Sequence, residues 1–418
     1  MYQIGHKNVD ELAAEYGTPL FAYDEEVLRD RLSSYVKYFR SEEFRTGVIY
    51  ASKAFSCKAM IRLLSEYGLY LDVVSAGELY TAYKAGFDMK KVFFHGNNKS
   101  LAELELAADL GVGNVVIDNA QEAECLAAVL EEKDKDMHVL LRVNPGIEAH
   151  THKYIVTAHV DSKFGVALAQ EDEVIRTIDI IRASGHMVFD GLHSHIGSQI
   201  FDRQAYAELA VKLFAFAGKL RDVYGIETDT IDFGGGFAAV YTAADTPIPL
   251  EEVCSTIICT SAEENRKLGG LIRNLYIEPG RSVVAEAGYT LYTAGCIKKT
   301  PNRHYVFVDG GMSDNIRPAL YQAEYDLFAA GKEDLPKTET YTVAGKCCES
   351  GDILIDSIAL PKIETGDILV MKTTGAYGYA MSSRYNKLPG PAVVFVKDGT
   401  AREVVRRQTY DDIIALED

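Results

Sequence analysis

Cysteine is scarce in this sequence, and its scatter excludes two common roles. The 418 residues include seven cysteines, an odd number with no CxxC pair. Neither a zinc site nor a disulfide framework is therefore indicated. We expect a reduced, cytoplasmic protein with no bound metal. The seven are Cys57, Cys125, Cys254, Cys259, Cys296, Cys347 and Cys348.

Positive charge is also in short supply. Lys and Arg number 43 against 61 Asp and Glu, which gives a net charge of −18. Binding to nucleic acid or to an anionic membrane surface depends on clustered basic residues, so neither kind of partner is expected. A small anionic substrate is compatible with this charge, because a binding site can be locally positive inside an acidic protein.

Long apolar stretches are absent as well. No run reaches the 18 or so residues that a membrane-spanning helix needs. Residues 1–7 lack the apolar core of a signal peptide. Both absences agree with the expected cytoplasmic location.

The sequence has instead eight short, β-branched apolar runs with helix-like segments between them. The first five start about 20–25 residues apart, the spacing of βα units. This pattern predicts a (β/α)8 barrel of the TIM type. A doubly wound sheet is the alternative, although it normally has fewer parallel strands and one dominant glycine-rich first turn. The runs are 47–53, 69–75, 91–96, 114–119, 138–144, 188–197, 230–236 and 275–281.

The pattern changes near residue 284. Beyond it, β-rich runs alternate with Gly, Pro and Asp, which predicts a C-terminal β domain, either a barrel or a sandwich. We therefore expect a barrel domain over 29–283 and a β domain over 284–418. The N-terminal segment 1–28 is expected to join the β domain.

Lys53 ends the first apolar run. Lysine is unusual there, because a buried ammonium is unfavourable unless it is paired or neutralised. The same desolvation makes lysine a good amine nucleophile toward carbonyl compounds. A side chain that simply reaches out to water is the alternative. Polar residues also follow the other runs, at the rim where barrels carry their active sites: Asp72, Ser75, His95, Asn97, Asp118, Arg142, Asn144, His193, His195, Ser198, Glu278 and Arg281.

Three consecutive glycines, Gly234, Gly235 and Gly236, follow the seventh run. Glycines let backbone N–H groups approach an anion, and barrels often bind phosphate after strands seven and eight. A phosphate site facing a strand-end lysine suggests pyridoxal 5'-phosphate, with Glu278 as the anionic partner of the ring nitrogen and His195 against the ring face. A flexible turn and a buried core histidine are the alternative interpretations.

Eight motifs spread from residue 50 to residue 378 resemble those of the fold-type III pyridoxal-phosphate-dependent decarboxylases, and the resemblance covers essentially the whole chain. They are Tyr50–Ala54, His193–Gln199, Gly234–Phe237, Glu278–Ser282, Asp309–Asp314, Arg317–Tyr321, Cys348–Asp352 and Gly375–Gly378.

The resemblance implies a role for each matched residue. For the cofactor, it implies that Lys53 carries it, His195 stacks on its ring and Glu278 pairs with its ring nitrogen. Cys348 is implied as the proton donor in catalysis, reaching the site from the partner subunit of a homodimer together with Glu349. The remaining implied cofactor contacts are Ser198, Gly234, Gly235, Gly236, Gly280, Arg281 and Tyr377. The implied substrate contacts are Arg281, Arg317, Tyr321, Glu349 and Tyr377.

The resemblance further implies decarboxylation of meso-2,6-diaminopimelate to L-lysine and CO2, the last step of lysine biosynthesis. Two arginines, Arg281 and Arg317, can bind a distal carboxylate in a planar, bidentate way, and Glu349 can bind the distal ammonium. A decarboxylase of ornithine, arginine or carboxynorspermidine on the same scaffold is the nearest alternative. An amino-acid racemase and an inactive cofactor-binding regulator are more distant ones.

Overall fold

The computed structural model describes residues 2–147 and 162–418. The chain forms two compact units, each built from separate stretches of sequence. The barrel unit comprises Leu32–Ala238 and Pro247–Gly280. The C-terminal unit comprises Met1–Arg31, Ala239–Thr246 and Arg281–Asp418.

The strands of the described residues are numbered in chain order. They are β1 Gln3–Ile4, β2 Lys7–Asn8, β3 Leu20–Asp24, β4 Arg45–Ala51, β5 Tyr70–Val73, β6 Val92–Phe94, β7 Asn114–Ile117, β8 Met137–Asn144, β9 Val166–Ala167, β10 Met187–His193, β11 Thr230–Asp232, β12 Asn274–Ile277, β13 Gly288–Lys299, β14 His304–Val308, β15 Leu327–Ala329, β16 Glu339–Ala344, β17 Ile353–Leu360, β18 Ile368–Met371, β19 Ala392–Lys397 and β20 Thr400–Val405.

The helices are numbered in the same way. They are α1 Val9–Tyr16, α2 Glu25–Tyr38, α3 Lys58–Glu66, α4 Ala76–Ala85, α5 Leu101–Leu110, α6 Ala120–Lys133, α7 Glu171–Ala183, α8 Arg203–Tyr224, α9 Leu250–Lys267, α10 Arg281–Val284, α11 Arg317–Tyr321 and α12 Tyr410–Ile414. None of the helices in the described ranges combines the length and apolar character that crossing a bilayer requires.

Eight parallel strands close the barrel in the order β4, β5, β6, β7, β8, β10, β11 and β12. The β12–β4 and β10–β8 pairings complete the ring. Each of the eight predicted apolar runs overlaps one of these strands, which confirms the predicted (β/α)8 barrel. The carboxyl ends of all eight strands therefore open on one face of the barrel unit.

Four successive barrel helices begin at a residue whose side chain caps the helix. Cys57, Ser75, Ser100 and Asn119 each accept a hydrogen bond from a backbone N–H in the first turn of α3, α4, α5 and α6. Such caps satisfy N–H groups that have no partner within the helix. The polar residue at Ser75 thus ends a strand-to-helix loop and starts the next helix.

The barrel interior is filled by large apolar side chains. Ile49, Phe93, Val116 and Leu140 form one cluster, each at most 1% exposed. Tyr70 and Tyr276 pack against this cluster, and their rings lie 5.8 and 5.3 Å from the ring of Phe93. The interior is thus a packed core, and this leaves the strand ends as the place for chemistry.

The C-terminal unit is built on a sheet in the order β17, β16, β14, β13, β3, β19 and β20, with β18 also paired to β13. The early strand β3 pairs antiparallel with β13 and parallel with β19. Its alternate residues Leu20 and Ala22 enter a core with Leu291, Val370 and Val394. This sheet confirms the predicted β domain in addition to the barrel, and the predicted domain boundaries stay a prediction.

Replacing Phe93 by alanine is expected to lower the free energy of unfolding by about 3–5 kcal/mol, because it removes a buried ring and leaves a cavity in the barrel core. Val223→Ala is the control, since Val223 is 64% exposed on α8 and its loss is expected to change stability by less than about 0.5 kcal/mol. Urea denaturation followed by circular dichroism measures both. Equal effects of the two substitutions would contradict the placement of Phe93.

Candidate active site

Lys53 lies in a single 3₁₀ turn, Ser52–Ala54, directly after β4. Its side chain is exposed. Exposure alone does not distinguish a functional lysine from one that simply reaches out to water. Its surroundings are more specific. The Lys53 ammonium influences the pKa of Asp72, which burial raises, and that of His195, which burial lowers well below its usual range. Lys53 is thus an accessible amine among buried, ionisable groups.

The backbone around Lys53 is tightly packed by the loop that follows the last barrel strand. A Cβ on Gly280 would lie 3.0 Å from the Cβ of Ala51 and 3.1 Å from that of Ala54. The backbone N–H of Ala51 also donates to the carbonyl of Pro279 at 3.1 Å. The loop that carries Glu278 and Gly280 therefore fixes the turn that carries Lys53.

Glu278 is a buried carboxylate held between two histidines. The Nε2 of His193 lies 3.0 Å from Glu278 Oε2 in a hydrogen bond. The Nε2 of His95 lies 2.7 Å from Glu278 Oε1, but the alignment of this contact departs from that of a good hydrogen bond. Burial acts to raise the pKa of Glu278, but the two histidines outweigh it and hold that pKa well below its ordinary value.

The ligand atoms of His95, His193 and Glu278 all lie within 4.8 Å of one another, and such a set could also hold a divalent cation. The contacts to Glu278 have hydrogen-bond distances. The absence of a bound metal stays a prediction.

The glycine loop after β11 leaves no room for side chains. A Cβ on Gly234 would lie 2.5 Å from the carbonyl oxygen of Ser194, and one on Gly235 would lie 2.3 Å from that of Glu278. Gly234 and Gly236 also have positive φ values, 66° and 105°. Backbone groups alone can therefore line this part of the site, as an anion-binding loop requires.

His195 is fixed by the same loop. The backbone N–H of Gly235 donates to His195 Nδ1 at 3.1 Å, so this nitrogen carries no proton. Burial first, and then the nearby Lys53 ammonium, lower the pKa of His195 well below its ordinary value. The side chain is thus a neutral imidazole held against the glycine loop.

Ser198 lies in the loop after β10, beside the glycines. Ile200 and Phe237 form a short parallel bridge, and the backbone N–H of Ile200 donates to the carbonyl of Gly236 at 3.0 Å. These contacts bring the loop of Ser198 and the glycine loop together in the barrel unit. Ser198 and the three glycines, the predicted phosphate-binding residues of this unit, therefore lie on two loops that are in contact.

Two arginines of the C-terminal unit are enclosed by tyrosines. The guanidinium of Arg281 donates to the hydroxyl of Tyr241 at 2.7 Å and lies 4.9 Å from the ring centre of Tyr377. That of Arg317 donates to the hydroxyl of Tyr325 and lies 4.9 Å from the ring centre of Tyr241. Both arginines are buried, so the tyrosines hold two cations in fixed positions.

Tyr241 and Tyr325 were not predicted as site residues. Tyr325 lies eight residues after Arg317, and Tyr241 follows the glycine loop by five. Neither spacing is a recognised motif, and the only available signal was their proximity in sequence to predicted residues. The third ring, Tyr377, was predicted.

Cys348 and Glu349 are exposed on a loop after β16, and Tyr321 is partly buried at the end of α11. The backbone N–H of Cys348 donates to Asn386 Oδ1 at 2.7 Å. One residue earlier, the N–H of buried Cys347 donates to Asp352 Oδ2 at 2.8 Å. The loop backbone is thus anchored while the Cys348 and Glu349 side chains face outward.

The barrel fold and the site around Lys53 fit the class of pyridoxal-phosphate-dependent decarboxylases, and comparison with a known family agrees. A family model described as "Pyridoxal-dependent decarboxylase, pyridoxal binding domain" matches residues 26–285. The chain belongs to the pyridoxal-dependent decarboxylases, and its cofactor is pyridoxal phosphate.

Within this family, the chain is most informatively compared with diaminopimelate decarboxylases. It is 47% identical to that of Bacillus subtilis, over 99% of this chain and 94% of the relative. It is 42% identical to that of Staphylococcus aureus, over 96% of this chain and 94% of the relative. A crystal structure of the M. jannaschii diaminopimelate decarboxylase with L-lysine aligns with a TM-score of 0.91 and 30% identity, covering 99% of this chain and 98% of that one.

The residues of the barrel unit fit pyridoxal phosphate. The cofactor needs an amine, an anion near its ring nitrogen and a backbone-lined pocket for its phosphate. Lys53, Glu278 and the glycine loop would supply these in turn. The loop also fits because a Cβ at any of its three glycines would lie within 2.6 Å of a neighbouring atom.

Gly235→Ala is expected to weaken cofactor binding at least tenfold, because its methyl group would collide with the carbonyl of Glu278 and displace the loop. Gly77→Ala is the matched control, since the nearest atom to its Cβ would be 3.7 Å away, an ordinary contact. Titration of the cofactor-free proteins, followed by absorbance, measures both. Unchanged binding in Gly235→Ala would contradict a close-packed phosphate loop.

The free energy of unfolding of the cofactor-free protein is expected to decrease as the pH is lowered below about 6.5. Burial lowers the pKa of His193 to about 4, so the unfolded chain binds a proton that the folded protein does not. Between pH 7 and pH 5 this single group removes about 2 kcal/mol from the free energy of unfolding. His193→Gln cannot gain that charge, so its urea midpoints should depend less on pH. An equal pH dependence in both proteins would contradict a buried, neutral His193.

Proposed function

We propose that this protein decarboxylates meso-2,6-diaminopimelate to L-lysine and CO2, the last step of lysine biosynthesis. The observation that carries the proposal is similarity along the full chain to proteins named diaminopimelate decarboxylase, at 47% identity over 99% of the chain. The buried arginine pair supports it, since a substrate with a distal carboxylate needs fixed cations.

In this proposal the barrel residues hold and polarise the cofactor. When bound, pyridoxal phosphate supplies an electron sink for the pair released from the bond to the departing carboxylate. Lys53 carries the cofactor, and Glu278 stabilises positive charge at the ring nitrogen. The neutral imidazole of His195 supports the ring face. Ser198, Gly280 and the glycine loop bind the phosphate side.

The residues of the C-terminal unit are proposed to bind the distal end of the substrate. Arg281 and Arg317 bind the distal carboxylate through paired N–H donors, and Glu349 binds the distal ammonium. Tyr321 and Tyr377 complete these contacts, and Tyr377 and Arg281 also contact the cofactor. Because tyrosine hydroxyls and rings already hold both guanidinium groups, little side-chain entropy is lost when a carboxylate binds.

Cys348 is proposed to deliver the proton to Cα after CO2 leaves. Its thiol is exposed on a loop whose backbone is anchored. We further propose that Cys348 and Glu349 act in the site of the other subunit of a homodimer, and that the enzyme works in the cytoplasm.

The direct test measures CO2 release by the purified, cofactor-loaded protein from four acids supplied separately: meso-diaminopimelate, ornithine, arginine and carboxynorspermidine. Release from meso-diaminopimelate alone, with L-lysine formed in equal amount, supports the proposal. Negligible release from it alongside rapid release from another acid would reassign the substrate. No release from any of them would refute the decarboxylase function.

Arg317→Met is expected to lower kcat/KM for meso-diaminopimelate about 100-fold, because charge-assisted hydrogen bonds of about 1.5–3 kcal/mol are lost with the distal carboxylate. Arg303→Met is the matched control in the same unit, where Arg303 pairs with exposed Asp356. Steady-state kinetics at saturating cofactor measures both. A loss of less than about threefold would show that Arg317 does not bind the substrate.

A further inference from the structure

Two residues that contact Glu278, His95 and His193, have not yet been given a role. His95 directly follows β6, His193 is the last residue of β10, and Glu278 directly follows β12. No two of these strands are neighbours in the barrel. The three side chains therefore meet across the barrel mouth, approached from three separated points on its rim.

Each imidazole contacts a different oxygen of the Glu278 carboxylate. His193 contacts Oε2 at 3.0 Å and His95 contacts Oε1 at 2.7 Å. The imidazole rings lie 4.9 Å apart in an edge-to-face arrangement. All three side chains are at most 7% exposed. The carboxyl group can neither rotate freely nor be solvated by bulk water, so its direction is set by these contacts.

Charge makes such a clamp necessary. A buried carboxylate without partners takes up a proton, and a neutral carboxyl group could not stabilise a protonated pyridine nitrogen. Two further carboxyl groups, Asp232 and Asp72, face the same site, and burial together with the nearby Glu278 charge raises the pKa of each. Arg142 on β8 and Lys53 after β4 are cations that face the same cluster.

The protonation of His193 is consistent with a donor role. Its Nδ1 is buried with no hydrogen-bond partner, whereas its Nε2 contacts Glu278. The neutral ring therefore carries its proton on Nε2, and this N–H donates a hydrogen bond to the carboxylate. A neutral His193 that donates this hydrogen bond leaves the negative charge on Glu278.

We propose that His95 and His193 are positioning residues that clamp Glu278 from two sides, keep it anionic and aim it at the pyridine nitrogen of the cofactor. The inference rests on the proposed function only in assigning Glu278 to that nitrogen. Neither histidine touches the reacting atoms of the substrate in this account, and both act through Glu278.

The test uses the holoenzyme reconstituted with pyridoxal phosphate labelled with ¹⁵N in the ring, because the ¹⁵N chemical shift reports directly whether that nitrogen is protonated. The variants are His193→Leu, His95→Leu and the double substitution, with Glu278→Gln as the reference for a lost anion. His138→Gln is the matched control, since exposed His138 pairs with Asp190 at 2.9 Å in the same unit.

The wild type and His138→Gln are expected to show a protonated ring nitrogen. The double leucine variant should lose that signal as Glu278→Gln does, with kcat lowered at least 100-fold and KM changed less than threefold. His193→Gln, which keeps an N–H donor, should recover most of the signal. A protonated nitrogen in the double variant, or an unprotonated one in the wild type, would overturn the proposal.

Two further outcomes are distinguished by design. If the leucine variants do not fold, His193→Asn removes the contact while keeping a polar side chain, and it must lose at least part of the protonated signal. If the wild type shows a protonated nitrogen that the double leucine variant loses, but releases no CO2 from meso-diaminopimelate, the proposed function fails and the clamp stands.

Discussion

One buried negative charge organises the active site. Glu278 must remain ionised at the end of β12, where burial alone would neutralise it. The contacts with His95 and His193 offset that cost, and each contact depends on a different strand end. The closed barrel is what brings these ends together, so the local chemistry depends on the global fold.

The same constraint links Glu278 to the other parts of the barrel site. The carbonyl of Glu278 lies against Gly235, and Gly235 in turn donates to His195. The loop continuing from Glu278 packs on the turn of Lys53 through Gly280. The anion, the glycine loop and the lysine turn are thus connected by direct backbone contacts, and a side chain added at any of these glycines would disturb more than one of them.

Sequence periodicity was sufficient for the barrel, because parallel strands buried on both faces appear as short apolar runs at βα spacing. Motif resemblance predicted cofactor roles for Lys53, His195 and Glu278, and those roles stay predictions. His95 and His193 were visible only as polar residues at strand ends, since nothing in a sequence shows that two distant strand ends meet on one carboxylate. Tyr241 and Tyr325 were missed for a related reason, because ring–guanidinium contacts depend on tertiary packing and leave no spacing pattern.

The most direct test of the central claim is a high-resolution crystal structure of the protein loaded with pyridoxal phosphate and L-lysine. The distance to measure joins the ring nitrogen to the nearer carboxylate oxygen of Glu278. A clamped Glu278 should make a charge-assisted hydrogen bond of about 2.7–2.9 Å to that nitrogen, with both imidazoles still in contact with the carboxylate. A ring nitrogen that faces solvent or another residue, with Glu278 turned away, would contradict it.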